Sequence, residues 1–359
     1  MKVKEFKICI DSTIGLERFN YFSIDAIKLQ DINLLVGKNA SGKSTTLNNL
    51  QFMSEILKNR GPGYYVGTYD FKFLDEKNNT FHYIYFASIR NEIRETLTRN
   101  GEELINRVND KARIFSETKN DYEDVNPPQN IPLMVTRRDS KEYPYIEELI
   151  TWANGVYSFK FGHVHPHYIS ESREESAFTS SSDFNKYLEG ITDEAKETVK
   201  NDFNSLGYKV EKITFVKGTQ GELLLKITEE GVKHSVDEFA LSQGMFRSMW
   251  LILYIQYLIE KCNASLIIID DLCEGLDYSR ATALGKLLFK KMKENNVQFV
   301  ATSNDSFLMN VVDIKYWNIL VRNGDTIQSY NYSNSKEKFD KFDLIGLNNF
   351  DLFTSDFLR

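Results

Sequence analysis

Between a mostly apolar run, Ile32 to Val36, broken only by Asn33, and a helical stretch opening near Thr46 lies the octapeptide Gly37-Lys38-Asn39-Ala40-Ser41-Gly42-Lys43-Ser44. Its Gly-x4-Gly-Lys-Ser spacing is that of a phosphate-binding loop. The glycines let backbone N–H groups approach an anion closely, and the following helix aims its positive end at it. In that geometry Lys43 bridges the β- and γ-phosphates of a nucleotide, Ser44 offers its hydroxyl to Mg²⁺, and Thr45 stands beside it. A plain strand–turn–helix has no need of this spacing. The buried strand before the loop and the helix after it are the context the motif requires, and together they place the chain in the α/β class.

Two further segments near the other end of the chain carry chemistry. Leu266 to Ile269 is a fully apolar run that ends in Asp270-Asp271, within LIIIDDLCEGLD. A carboxylate at the end of a buried strand can reach the hydration shell of Mg²⁺, which assigns Asp270 to the metal beside Ser44. Asp271 can orient or deprotonate an attacking water, and Glu274 is a rival for that role. Alone, the segment also reads as a strand followed by an acidic loop. Leu241-Ser242-Gln243-Gly244-Met245 opens a long apolar helix reaching about Lys261, and a serine there can cap the helix or present its hydroxyl to a phosphate.

With these three segments in order, the chain resembles ABC-class P-loop ATPases of the SMC/RecF/OLD-like branch, AAA-family ATP-binding proteins of bacterial antiphage defence operons. The resemblance covers about residues 1–60 and 236–335. It implies an ABC-type P-loop ATPase core with an antiparallel β subdomain and a helical insertion. It makes Ser242, Gln243 and Gly244 the signature and Asp277 part of the D-loop. Thr302-Ser303-Asn304-Asp305 becomes the switch segment, with Asn304 where the family carries histidine. It also implies ATP and Mg²⁺ as cofactors. The signature of one protomer would complete the site of another, in a homodimer or higher oligomer. Asp271 is one methylene shorter than the usual glutamate and Asn304 cannot titrate, so slow turnover is expected. No Q-loop glutamine is evident; Gln129 lies in a Pro-containing stretch. Only about 50 residues follow the switch, so an effector, expected to be a nuclease, would be a separate chain.

The rest of the chain sets limits. Its 359 residues are 42% hydrophobic with a net charge of −7. That is a folded protein whose surface as a whole does not attract nucleic acid, although a local basic groove stays open as a nucleic-acid site. Three scattered cysteines, no zinc spacing and no apolar leader in MKVKEFKICID fit the cytoplasm without a membrane partner. Strands are expected at 3–10 and 20–29. Two hairpins turn at Asn78-Asn79 and Asn100-Gly101. A polar linker with Pro127-Pro128 follows, then a helix from Pro144, a Ser-rich loop at 170–183, a helix over about 183–205 and strands at 208–217 and 221–229. The expected organisation is 1–63 for the first part of the ATPase core and 64–130 for the β insertion and linker. A mixed insertion spans 131–235, the second part of the core 236–335 and an aromatic tail 336–359.

Weaker signals have blander readings. His163, His165 and His167 could line one strand face as metal ligands, but Pro166 interrupts it and exposed imidazoles at a strand end are the simpler account. Arg247 reaches either phosphate or an acidic neighbour. Arg137-Arg138 reads as a solvated face. Phe339, Phe342, Phe350, Phe353 and Phe357 read as core packing. Three other functions stay open: an ABC transporter ATPase subunit, a scaffold that binds ATP and barely hydrolyses it, and a DNA-repair SMC/RecF-like ATPase. The roughly 200 residues between Lys43 and Ser242 weigh against the transporter.

Overall fold

The structure is a computed structural model and describes residues 1–11, 14, 21–58, 66–129, 131–163, 182–218, 223–345 and 348–350. Its strands are β1 (Lys2–Ile10), β2 (Phe22–Lys28), β3 (Ile32–Val36), β4 (Gly67–Leu74), β5 (Thr80–Ala87), β6 (Ile93–Arg99), β7 (Glu102–Val108), β8 (Lys111–Ser116) and β9 (Asp121–Val125). They continue with β10 (Val156–Lys160), β11 (Val210–Lys217), β12 (Leu223–Glu229), β13 (Val236–Asp237), β14 (Leu266–Asp270), β15 (Gln298–Thr302), β16 (Trp317–Asn323) and β17 (Thr326–Asn331). The helices are α1 (Lys43–Leu57), α2 (Leu133–Thr136), α3 (Pro144–Asn154), α4 (Ser182–Glu189), α5 (Asp193–Asn204), α6 (Gln243–Lys261), α7 (Tyr278–Glu294), α8 (Ser306–Val311) and α9 (Lys336–Ile345).

Fourteen strands form one sheet in the order β10-β14-β15-β3-β16-β17-β2-β1-β4-β5-β6-β7-β8-β9. From β10 to β16 they run parallel, and from β1 to β9 neighbours run antiparallel. The parallel part has a core on each face, which is why β3, β14 and β15 are buried along their whole length and mostly apolar, with Asn33 and Gln298 as buried polar exceptions. Ile32, Leu34, Val36, Ile267, Ile269, Phe299 and Ala301 face α6 and α7. Leu35, Leu266, Ile268 and Val300 face α1 and α3. The two-residue side-chain period of a strand thus feeds two cores at once.

Both expected hairpins form. Asn100 and Gly101 take φ of 53° and 89°, the left-handed pair a tight turn needs. The antiparallel meander runs on through β8 to β9, which lies in the polar stretch read as linker. Its outer strand, DYEDV, is acidic and carries no apolar alternation because it is the sheet edge and buries nothing on its far side. The helix expected over 183–205 is two helices. Gly190 ends the first, and Thr192 caps the second by accepting from the Ala195 N–H at 3.2 Å.

Buried within β6 and β7, Glu95 and Arg107 pair at 2.8 Å. Arg107 also donates to the carbonyls of Asn109, Pro128 and Ile131, and Glu95 accepts from the Tyr83 hydroxyl and Leu133 N–H. The pair therefore clamps the strand-to-helix connection holding Gln129. Helices α4 and α5 cover the outer side of α6, where Phe184 meets Trp250, Tyr254 and Tyr257 at centroid distances of 6.1, 5.1 and 5.1 Å. Phe339 is fully buried and Phe350 packs partly against the same core. Phe353, Phe357 and the Phe342 side chain lie outside the described residues. Among the described residues no helix is long and apolar enough to cross a membrane.

Candidate functional site

The octapeptide leaves the C-terminal end of β3 and delivers Lys43 as the first residue of α1. Gly42 sits at φ 94° as the helix N-cap, with no side chain capping the first turn. A Cβ at Gly42 would meet Ile327 Cδ1 at 2.3 Å, and one at Gly37 would meet Ser41 Oγ at 2.2 Å and the Leu320 carbonyl at 2.8 Å. At Gly37 the Leu320 carbonyl leaves no room for a side chain, and at Gly42 the positive φ disfavours one. Ala40 also takes a positive φ, 63°. Lys38, Asn39 and Ala40 are exposed, while Ser44 and Thr45 are half-buried. Lys43 is 8% exposed, and its ammonium donates to the Gly37 carbonyl at 2.7 Å and the Lys38 carbonyl at 3.3 Å. Burial lowers its pKa, and the nearby charges of Asp271 and Asp270 act in the opposite direction.

Those carboxylates end β14, which β15 separates from β3 in the sheet. Asp270 is buried and accepts from Thr302 Oγ1 at 2.6 Å, while the Asp271 N–H donates to the same oxygen at 2.8 Å. Asp271 adopts φ 54°, a left-handed conformation uncommon for a residue with a side chain. Burial first, then the charges of Asp270 and Glu274, raise its carboxyl pKa, and Lys43 and Lys160 pull it back. Glu274 is exposed, with its carboxylate against Gly162, where a Cβ would stand 1.9 Å from Oε2.

The turn at Ser242 to Gly244 packs against the same acidic loop. Ser242 accepts from the Met245 N–H at 3.3 Å as the N-cap of α6. Ser242 and Gln243 are exposed, and a Cβ at Gly244 would stand 3.0 Å from Leu276 Cδ2. Arg247 of α6 joins that helix to this loop by donating to the Glu274 carbonyl at 3.3 Å and the Gly162 carbonyl at 2.8 Å. Asp277 caps α7, accepting from the Arg280 N–H at 3.1 Å and the Ser279 hydroxyl at 2.7 Å. The Ser279 and Arg280 contacts lower its pKa to about 2. Asn304 is exposed at the end of β15, between Ser303, which donates to the Leu272 carbonyl, and Asp305, which caps α8.

Lys43, Asp270 and Asp271 are thus brought together at the C-terminal ends of parallel strands, with the Ser242 turn, Asp277 and Asn304 on neighbouring loops. The residues fit a Mg²⁺-nucleotide. Ser41 Oγ and Thr46 Oγ1 are buried without a hydrogen-bond partner among the described residues, next to uncapped helix amides and a buried ammonium. Ser44 and Asp270 are the oxygens suited to the metal.

Sequence reasoning missed Lys160, whose ammonium lies 3.9 Å from Asp270 Oδ2. Its signal was weak, because only the pairing of β10 with β14 brings it there. Arg138 pairs with Glu147 at 2.6 Å on an exposed face, as a solvated arginine should. His165, His167 and the His163 side chain lie outside the described residues, as does most of the Ser-rich loop. Among the described residues no cluster of His, Cys, Asp or Glu suits a metal by itself.

A family model described as AAA domain, putative AbiEii toxin, Type IV TA system, matches residues 32–310. Among solved structures, the Smc head bound to the C-winged helix domain of ScpA superposes with a TM-score of 0.51 at 13% identity, covering 94% of this chain and 99% of that one. That likeness gives the fold: the mixed α/β fold of an SMC head. The Smc head domain with an extended coiled coil bound to the C-terminal domain of ScpA, derived from Pyrococcus furiosus, gives 0.48 at 10% identity over 95% and 99%. The SMC head domain from Thermotoga maritima gives 0.44 at 14% identity over 92% and 99%. No curated protein sequence matches.

Proposed function

The chain belongs to the AAA-domain family described as putative AbiEii toxin, Type IV TA system, and from that premise we propose that it is a slow Mg²⁺-dependent ATP hydrolase acting as a nucleotide-gated switch. The observation that carries this reading is the convergence of Lys43 with Asp270 and Asp271 beneath the β3 and β14 strand ends. On this reading residues 37–45 cradle the phosphates, with Lys43 leaving its backbone carbonyls for them. Ser44 and Asp270 hold the metal, which neutralises phosphate charge when bound. Asp271 orients the attacking water, with Glu274 the alternative base, and Asn304 donates a hydrogen bond to the terminal phosphate. Residues 1–63 and 236–335 make up the core, with 64–130 and 131–235 inserted, β10 joining the core sheet, and 336–359 as a tail.

Ser242, Gln243, Gly244 and Asp277 are then free to serve a second copy. Ser242, Gln243 and Asp277 are exposed, as a surface completed by a partner requires. ATP would join two heads and hydrolysis release them. In the cytoplasm that cycle would control a separate effector, a nuclease, in defence against phage, in line with the toxin–antitoxin wording of the family. The test mixes Lys43→Ala chains with Ser242→Arg chains. Restored phosphate release above either variant alone supports a shared site; none, with mixed dimers shown to form, overturns it. Plaquing on cells carrying the gene and its neighbours, with Lys43→Ala as control, decides the defence role: equal plaquing across a broad phage panel removes it and leaves the ATPase standing.

A further inference from the structure

Lys160 ends β10, and the parallel register sets it directly opposite Asp270 on β14. Thr302 takes one oxygen of Asp270, Oδ1, at 2.6 Å, and the Lys160 ammonium faces the other, Oδ2, at 3.9 Å. The same ammonium acts on Asp271, where it and Lys43 are the two positive charges opposing Asp270 and Glu274. The two lysines differ in freedom. Lys43 is buried and held by two carbonyls, whereas the Lys160 side chain is 45% exposed, on a strand at the sheet edge.

An ammonium and a divalent cation are alternatives beside one carboxylate oxygen, since like charges repel at contact distance. We propose that Lys160 is a built-in counter-cation of the Asp270–Asp271 pair, which competes with the divalent metal for Asp270 and swings into solvent when the metal arrives. This rests on reading the site as a Mg²⁺-nucleotide site. Two consequences follow. Metal binding carries the cost of displacing Lys160. Without metal, Lys160 screens two carboxylates that would otherwise repel the phosphates, so the loop retains affinity for metal-free ATP.

The experiment compares wild type, Lys160→Gln and Lys160→Arg as full chains with matched melting curves. Mn²⁺ binding is titrated by electron paramagnetic resonance, and mant-ATP binding is read by fluorescence in EDTA and at saturating Mg²⁺. Lys160→Gln should tighten Mn²⁺ by about two- to fivefold, the range that a half-exposed ion pair supports. It should weaken mant-ATP in EDTA by a similar factor and leave the Mg²⁺ arm nearly unchanged. Lys160→Arg should follow wild type. Equal or weaker Mn²⁺ affinity in Lys160→Gln, or no Mn²⁺ binding by either protein, overturns the proposal whatever the nucleotide arm shows. Absence of mant-ATP binding in every condition overturns the nucleotide site instead, and the Mn²⁺ arm still decides Lys160.

Discussion

Thr302 Oγ1 donates to Asp270 Oδ1 at 2.6 Å and, on its other side, accepts the Asp271 N–H at 2.8 Å. One hydroxyl on β15 therefore orients the carboxylate at the end of β14 and holds the backbone of the next residue in its left-handed turn. Thr302→Val keeps the shape and removes both bonds. We expect ATP turnover to fall by about tenfold with mant-ATP affinity little changed, and stability to drop by about 1–3 kcal/mol for the buried groups left unpaired. Thr302→Ser should recover most of both. Turnover of the valine variant at the wild-type rate would show that this hydroxyl orients nothing of catalytic use.

The choice of base is open to direct measurement. Asp271 lies half-buried near Lys43 and Asp270, while Glu274 is exposed and turned towards Gly162. Asp271→Asn should stop phosphate release and preserve nucleotide binding, and Glu274→Gln should slow release by less than about tenfold, since general-base loss typically costs more. The reverse ranking would move the base to Glu274.

Glu238, just before the Ser242 turn, is 2% exposed and accepts a long bond, 3.4 Å, from the Leu225 N–H, with the Trp250 side chain also bonding to it. Burial raises its pKa from 4.5 to about 7. A carboxyl whose folded pKa lies above its unfolded value contributes stability as the acid. That contribution is fully present below the unfolded value and is lost as pH rises through about 7. The loss integrates to about 3 kcal/mol at most. Urea unfolding at pH 5 and pH 8 should therefore show a decline in wild type that Glu238→Gln flattens. A parallel pH dependence in both proteins would place the decline elsewhere.

Arg107→Leu removes the guanidinium that joins Glu95 to the carbonyls of Asn109, Pro128 and Ile131. It leaves the buried Glu95 carboxyl and the three carbonyls without their cation, so equilibrium unfolding should show a loss of about 3–5 kcal/mol. Replacing both members with apolar residues should cost less than the single change. If the single variant unfolds at the wild-type denaturant midpoint, the clamp contributes nothing to stability.

Much of the site was legible because its parts are local. Gly37 to Ser44 codes a tight loop by spacing alone. Leu266 to Ile269 is apolar on both faces, and Ile32 to Val36 is so apart from Asn33, as strands of a sheet covered on both sides are. The order of loop, signature and acidic strand end then indicated the class, and Asn100-Gly101 announced its own hairpin. Other features were not legible. β9 carries no apolar alternation, so its place in the sheet depends on pairing with β8. The break at Gly190 reflects a cap that competes with an otherwise helical pattern.

By itself the sequence determined which residues could cradle a phosphate, which strands must be buried and in what order the motifs arrive, because each rests on spacings of a few residues. The tertiary structure decided which charges meet. Lys160 reaches Asp270 across 110 positions, Arg247 reaches Gly162 across 85, and Gln298 binds the backbone of Val3 across 295. Such meetings are set by strand order and register, which arise from the packing of the whole sheet and leave no periodic trace in the chain around any one of these residues.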